Sequence, residues 1–275
     1  MSRLRETHTQ HQPASDKAAL MCATFHGEGQ LVAAAIHHGH AVRKEVFELL
    51  ALDEETRLRE EDPYTGLLTE AAPTRLIGLR SRFEVDLNRP RDKAVYQTPE
   101  DAWGLKVWRT KLPQAVVDYS LAEYDAFYAH VHRVLSLVCA RHGYFVVLDL
   151  HSYNHRRAGP DAPPADPLDN PVVNIGTGSV DRLRWGGVID RFIDRLRTAN
   201  VAGKALDVRE NVKFQGGYFP AWINETFTGR GMALAIEFKK VFMDEWSGEC
   251  NYPVLRELRN ALELAAGAVE FAEAG

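Results

Sequence analysis

A chain of 275 residues is long enough to bury one large α/β core, at about 100 to 200 residues per domain. Hydrophobic residues make up 45% and charged residues 26%, a globular mix that excludes collagen-like, coiled-coil and disordered chains. Lys+Arg total 33 against Asp+Glu 38, a net charge of -5, so the basic excess that nucleic acid or an anionic membrane demands is missing.

Residues 1–20 are expected to form a polar tail, because residues 1–18 carry no apolar stretch of the secretory kind. The continuously apolar run Val32–Ile36 suits a buried strand; it stops abruptly at His37-His38-Gly39-His40. A helix is expected over 42–52, then short strands over 75–79 and 83–87, the second closed by Asn88-Arg89-Pro90. Leu121, Tyr124, Phe127, Tyr128, Val131, Val134, Leu135 and Val138 recur at three- and four-residue spacing, which marks an amphipathic helix ended by His142-Gly143. Tyr144–Leu150 reads as a strand that also finishes in a polar cluster, His151-Ser152-Tyr153-Asn154-His155.

The proline- and aspartate-rich segment 156–171 is a loop bordering that cluster. A helix over 180–199, a Gly216-Gly217 turn, a strand over 233–238 and a helix over 254–272 complete the chain. Strands alternating with helices predict an α/β fold: one domain with a mixed or mostly parallel sheet flanked by helices, and ligands at the strands' carboxyl ends. The longest apolar runs, 31–36 and 144–150, fall far short of the ~20 residues of a membrane helix. Cys22, Cys139 and Cys250 form no CxxC pair; with no disulfide framework in view, a reducing cytoplasm is the expected setting.

Histidines at two strand ends point to a metal, since neutral imidazole is a common zinc ligand and a catalytic zinc takes three protein ligands. His37, His38, His40 and His151 are the candidates, and any one of them alone could simply hydrogen-bond. An acidic ligand is on offer in Glu60-Glu61-Asp62, which precedes the break at Pro63; the competing reading is a solvated charge run. Arg82, Asn88 and Arg89 surround the expected strand 83–87, and an arginine's planar fork suits a carboxylate or a developing oxyanion. Glu237 stands alone in the apolar stretch 232–238, where a carboxylate is costly unless paired or functional. It is a candidate general base. No GxSxG elbow, Walker A loop or strand-linked GxGxxG is present, which removes the serine-hydrolase, P-loop and Rossmann readings.

Taken in order, His37-His38-Gly39, Glu60 to Asp62, Ser81-Arg82-Phe83, Asp86-Leu87-Asn88-Arg89-Pro90, Asp149-Leu150-His151-Ser152, Gly216-Gly217-Tyr218 and Ile236-Glu237 resemble the N-formylglutamate amidohydrolase (N-formylglutamate deformylase) family. That family is related to the zinc carboxypeptidases and aspartoacylases. The resemblance implies a zinc-carboxypeptidase-like catalytic domain over 21–275, holding one zinc or another divalent metal per chain. It implies His37 and His151 as metal ligands with Asp62 or, next in order, Glu61; Glu237 as general base; Arg82 as oxyanion or substrate clamp; and Asn88 with Arg89 on the substrate's α-carboxylate.

Two departures stand out. The carboxypeptidase His-x-x-Glu pattern meets His40 here, so His40 is a third candidate ligand, and the family's Asp-x-Asp-Trp reads Glu60-Glu61-Asp62-Pro63. The implied substrate is a small anionic N-acyl amino acid, first N-formyl-L-glutamate, whose hydrolysis to formate and glutamate closes one histidine-degradation route. Another N-acyl amino acid deacylase, a carboxypeptidase-like hydrolase, a non-catalytic metal-binding relative and a homo-oligomer all remain open at this point.

Overall fold

The computed structural model describes residues 21–270, so the expected polar tail over 1–20 lies outside the described residues. In chain order the elements are β1 (Cys22–Phe25), β2 (Leu31–Ala35), α1 (Lys44–Phe47), α2 (Glu54–Glu60), α3 (Thr65–Leu68), β3 (Thr74–Gly78), α4 (Gln114–His142), β4 (Phe145–Tyr153) and β5 (Val173–Gly176). These are followed by α5 (Arg182–Arg197), the short pair β6 (Asn200–Val201) and β7 (Lys204–Ala205), then β8 (Val208–Glu210), α6 (Tyr218–Thr226), β9 (Gly231–Lys239) and α7 (Tyr252–Glu270).

Seven strands form one mixed sheet in the order β1-β3-β2-β4-β9-β5-β8. β3, β2, β4 and β9 run parallel, while β1 is antiparallel to β3 and β5 to β9. The central strands are apolar almost throughout because helices cover both faces. Leu31, Ala33, Val146, Leu148, Leu234 and Ile236 join the core that contains residues of α5 and α7. Their neighbours Val32, Ala34, Phe145, Val147 and Ala233 join the core that contains residues of α4 and α6. The period-2 pleat thus splits each strand between two cores. Among the described residues no helix is long and apolar enough to cross a membrane.

Two expected elements take another form. Residues 83–87 are not a strand but a series of turns, although Phe83, Val85 and Leu87 are buried as their alternation predicts. Side-chain bonds to the local backbone compete with a ladder here: Ser81 Oγ accepts from Phe83 N at 3.2 Å and Asp86 Oδ1 from Asn88 N at 2.8 Å. The helix expected over 42–52 shrinks to the single turn of α1, because Arg43 is drawn to Glu84 through both its backbone N–H (2.8 Å) and its side chain and Leu50 bridges to Trp108. β4 also runs further than expected, so His151 lies within the strand and not past its end.

Candidate metal centre and its cavity

The parallel strands β2, β4 and β9 end at the same edge of the sheet, and the candidate residues gather there. β2 delivers His37 just past its last residue. Asp62 follows α2 and is tied to that point by its own backbone, since Asp62 N donates to the His37 carbonyl at 3.0 Å. β4 carries His151, whose register partner on β9 is Glu237. One donor atom each from His37, Asp62 and His151 lie within 4.8 Å of one another, and all three residues are buried.

Each imidazole faces Asp62 with one nitrogen and a second buried aspartate with the other. His37 Nδ1 is 3.6 Å and His151 Nδ1 2.9 Å from Asp62 Oδ2. On the far side His37 Nε2 donates to Asp86 Oδ1 at 2.7 Å, and His151 Nε2 sits 3.0 Å from Asp149 Oδ2. The carboxylate bonded behind His37 is the arrangement that orients a metal-ligating ring and raises its basicity, and Asp149 stands at ion-pair distance in the corresponding place behind His151.

The donor set fits a divalent metal on three counts. Two histidines and one carboxylate are a known catalytic zinc set. His37 Nδ1 is buried without a hydrogen-bond partner, a costly state unless something else is bound there. Finally Asp62 lies against both imidazoles, with Asp86 and Asp149 behind them, so a cation held by the trio would have carboxylates on every side.

The flanking groups are held firmly. Asp86 receives Arg82 Nη2 at 2.8 Å and the Tyr96 hydroxyl in addition to His37. Burial opposes its charge, but Arg82 and His37 outweigh that and keep Asp86 well below the usual carboxylate range. Asp62 is likewise held far down by the two imidazoles in spite of burial. Burial also works against charge on His151, yet Asp149 and Asp62 raise it well above an ordinary histidine. Glu237 has no such support: burial pushes its carboxyl up to about 8, with Asp62 and Asp149 adding to the rise and His151 and Arg82 opposing it.

Several sequence candidates stay outside the trio. Glu61 turns its carboxylate toward Ser81, His40 and Arg57, because its backbone is extended (φ -82°, ψ 178°) and successive side chains of an extended chain point to opposite sides. His40 is spent on Glu61 and on Arg57, 3.0 Å away, and His38 packs against Gly66. Of the three candidates for the second ligand, Asp62 is the one whose side chain meets His37 and His151, while Glu61 and His40 are turned toward other partners.

A cavity of about 620 Å³ opens over the trio and is lined by Arg82, Asn88, Arg89, Trp103, Lys213, Gly217 and Glu237 among others. Arg82 lies beneath the Trp103 ring, 4.7 Å from its centroid. Asn88 Oδ1 accepts from Phe219 N at 2.9 Å, which docks the turn 82–90 onto the start of α6. Gly216 has a φ of +112°, a conformation that favours glycine. At Gly217 a Cβ would lie 2.3 Å from the Asn88 side chain, so a larger residue there would have to displace Asn88.

Sequence reasoning missed four residues of this site: Asp86, Asp149, Tyr96 and Lys240. Asp149 had a readable signal, because an aspartate two residues before His151 in an apolar strand must share its face. Lys240, almost fully buried, donates to the carbonyls of Arg59 (2.6 Å) and Glu61 (2.8 Å) and so braces the chain that presents Asp62. Nothing local in the sequence announces that contact.

A family model for N-formylglutamate amidohydrolase matches residues 29–243, a span that contains the whole cavity wall described above. The chain belongs to the N-formylglutamate amidohydrolase family. As a member it is a hydrolase acting on an amide bond. No curated protein matches the sequence. Among solved structures the fold resembles an N-formylglutamate amidohydrolase from Ralstonia eutropha JMP134, at 19% identity over 90% of this chain and 96% of that one, with a TM-score of 0.71. A gene product of Agrobacterium tumefaciens aligns at 16% identity over 92% of this chain and 96% of its own, TM-score 0.59. A metallo-carboxypeptidase from Pseudomonas aeruginosa aligns at 14% identity, over 96% of this chain and 68% of that one, with a TM-score of 0.35.

Proposed function

We propose that this member is a zinc-dependent amidohydrolase of N-formyl-L-glutamate, releasing formate and L-glutamate, with the cytoplasm and histidine degradation as its setting. The observation that carries the reading is the buried His37–Asp62–His151 trio with Glu237 as the cross-strand neighbour of His151. Zinc held by that trio would supply Lewis-acid polarisation of the amide carbonyl and acidify a water molecule.

The chain's own groups divide the remaining work. Glu237 takes a proton from the attacking water as its oxygen bonds to the formyl carbon. Arg82, charged and anchored by Asp86, donates hydrogen bonds to the carbonyl oxygen as negative charge grows on it. The C–N bond then breaks, and Glu237 returns its proton to the departing amine. Asn88 and Arg89 hold the substrate's α-carboxylate; Arg89 keeps its guanidinium partly exposed, with a bond to the Asp101 carbonyl at 3.2 Å and Asp86 3.8 Å away.

Protein purified without chelators or a metal-affinity tag is expected to carry about one zinc per chain by mass spectrometry and to release formate from N-formyl-L-glutamate. Metal with no formate release from this substrate would sink the substrate assignment, and a chain that neither carries nor takes up metal would sink the mechanism.

The glycine contact gives a separate check. Gly217→Ala is expected to push Asn88 off its position and lower kcat/KM by about 10- to 100-fold, since misplacement of a positioning group by about 1 Å costs up to that much. Bound metal should be unaffected. Unchanged kinetics would mean that Asn88 does not orient the substrate.

A further inference from the structure

Lys213 is a cation on the cavity wall to which the mechanism above assigns nothing. It lies in the segment between β8 and α6, and the buried Asn174 of β5 clips that segment to the sheet. Asn174 Oδ1 accepts from Lys213 N at 2.9 Å and Phe214 N at 3.4 Å, and its Nδ2 donates to the Phe214 carbonyl at 2.8 Å. Asn174 is itself the register partner of Glu237. The backbone of Lys213 is thus fixed relative to the proposed base. The strand order sets His151 on the β4 side of Glu237 and Lys213 on the β5 side.

The ammonium group is held but not neutralised. Nζ donates to Asn170 Oδ1 at 2.7 Å and lies 5.3 Å from the centroid of the Tyr153 ring and 5.7 Å from that of Phe214. Among the described residues no carboxylate forms an ion pair with it. The other cations of the wall are engaged or already assigned: Arg157 pairs with Glu60 at 3.2 Å, Arg82 with Asp86 at 2.8 Å, Lys240 with two carbonyls, Arg59 lies over the Trp246 ring at 4.2 Å, and Arg89 is the α-carboxylate clamp proposed above. Partial desolvation, followed by the charge of Arg157, draws the Lys213 pKa below the ordinary lysine value, as expected for a cation without a counter-ion. An ammonium has three donors, and the described residues use one.

We propose that Lys213 is a specificity-determining residue whose ammonium receives the side-chain carboxylate of an acidic N-acyl amino acid, at a point separate from Asn88 and Arg89. This rests on the amidohydrolase reading for the identity of the ligand. Two cationic points on different segments of one cavity fit a substrate with two carboxylates and disfavour a neutral side chain.

The test compares N-formyl-L-glutamate with N-formyl-L-glutamine, which has the same shape and no side-chain charge. The wild type is expected to prefer the glutamate by about 10- to 100-fold in kcat/KM, the range of a hydrogen bond to a charged group. Lys213→Met keeps the aliphatic stem over the rings and should bring that ratio close to one, whereas Lys213→Arg should preserve a preference. A wild type without preference, or Lys213→Met retaining it, overturns the proposal. Titration calorimetry with the same two compounds separates this from the reaction: selective binding of the glutamate that Lys213→Met abolishes upholds Lys213 even if neither compound is hydrolysed. Equal binding, or none, overturns it.

Discussion

Glu237→Gln is expected to lower kcat by about 100- to 10,000-fold, the usual contribution of a general base, while the protein keeps its full complement of metal. The two halves of that expectation have different origins. Glu237 is the register partner of His151 but lies outside the His37–Asp62–His151 trio, so a nearly isosteric amide removes a proton acceptor without removing a ligand. Its carboxyl, raised to about 8 by burial, already has a basicity close to that of a group working near neutral pH. Because the charged form is disfavoured at this position, the neutral amide should fold at least as well, and thermal unfolding of the variant is expected to match the wild type or exceed it. Turnover at the wild-type rate would remove Glu237 from the mechanism, and loss of metal together with activity would reassign it as a ligand.

Asp62→Ala is expected to abolish metal retention and turnover together. Asp62 is the shared neighbour of both imidazoles, and its loss would leave two buried histidines facing each other, their ring centroids 4.9 Å apart. Asp86→Asn should act more gently, weakening metal affinity by about 10- to 100-fold as outer partners of ligating histidines do. Chelator competition and elemental analysis would rank wild type, Asp86→Asn and Asp62→Ala in that order; equal affinities would refute the centre.

Acid should act in the same direction. Asp149 and Asp62 raise the proton affinity of His151 above that of an ordinary histidine, and a ligating imidazole must be neutral. Metal affinity is therefore expected to fall as pH falls through the neutral range, with protons released on binding. Affinity independent of pH would contradict histidine ligation.

The continuously apolar strands and the helical period over 121–141 were legible because burial on both faces or on one face leaves a local pattern in the chain, and the structure reproduces them as β2, β4, β9 and α4. The failure at 83–87 shows the limit of that signal. Phe83, Val85 and Leu87 do alternate and are buried, but periodicity reports which side chains face a core, not whether a neighbouring strand supplies hydrogen bonds, and Ser81 and Asp86 satisfy that backbone instead. Glu237 was conspicuous as a lone charge in an apolar strand. Asp149 lay in an equally apolar strand, and its place two residues before His151 put it on the same face.

The amino-acid sequence by itself determined the donor types at this site and the strands on which most of them travel, since both are properties of single residues and short intervals. It left open which acid joins the histidines, because Glu61 and Asp62 are adjacent and chemically alike. Only the tertiary structure brings one of them, Asp62, against the two imidazoles. Asp62 lies 89 residues from His151, and their meeting depends on the order β2-β4-β9, on the Asp62–His37 backbone bond and on the brace from Lys240. These contacts are non-local, so no window of sequence contains both partners, and one step along the chain turns Glu61 toward Ser81 while Asp62 faces the site.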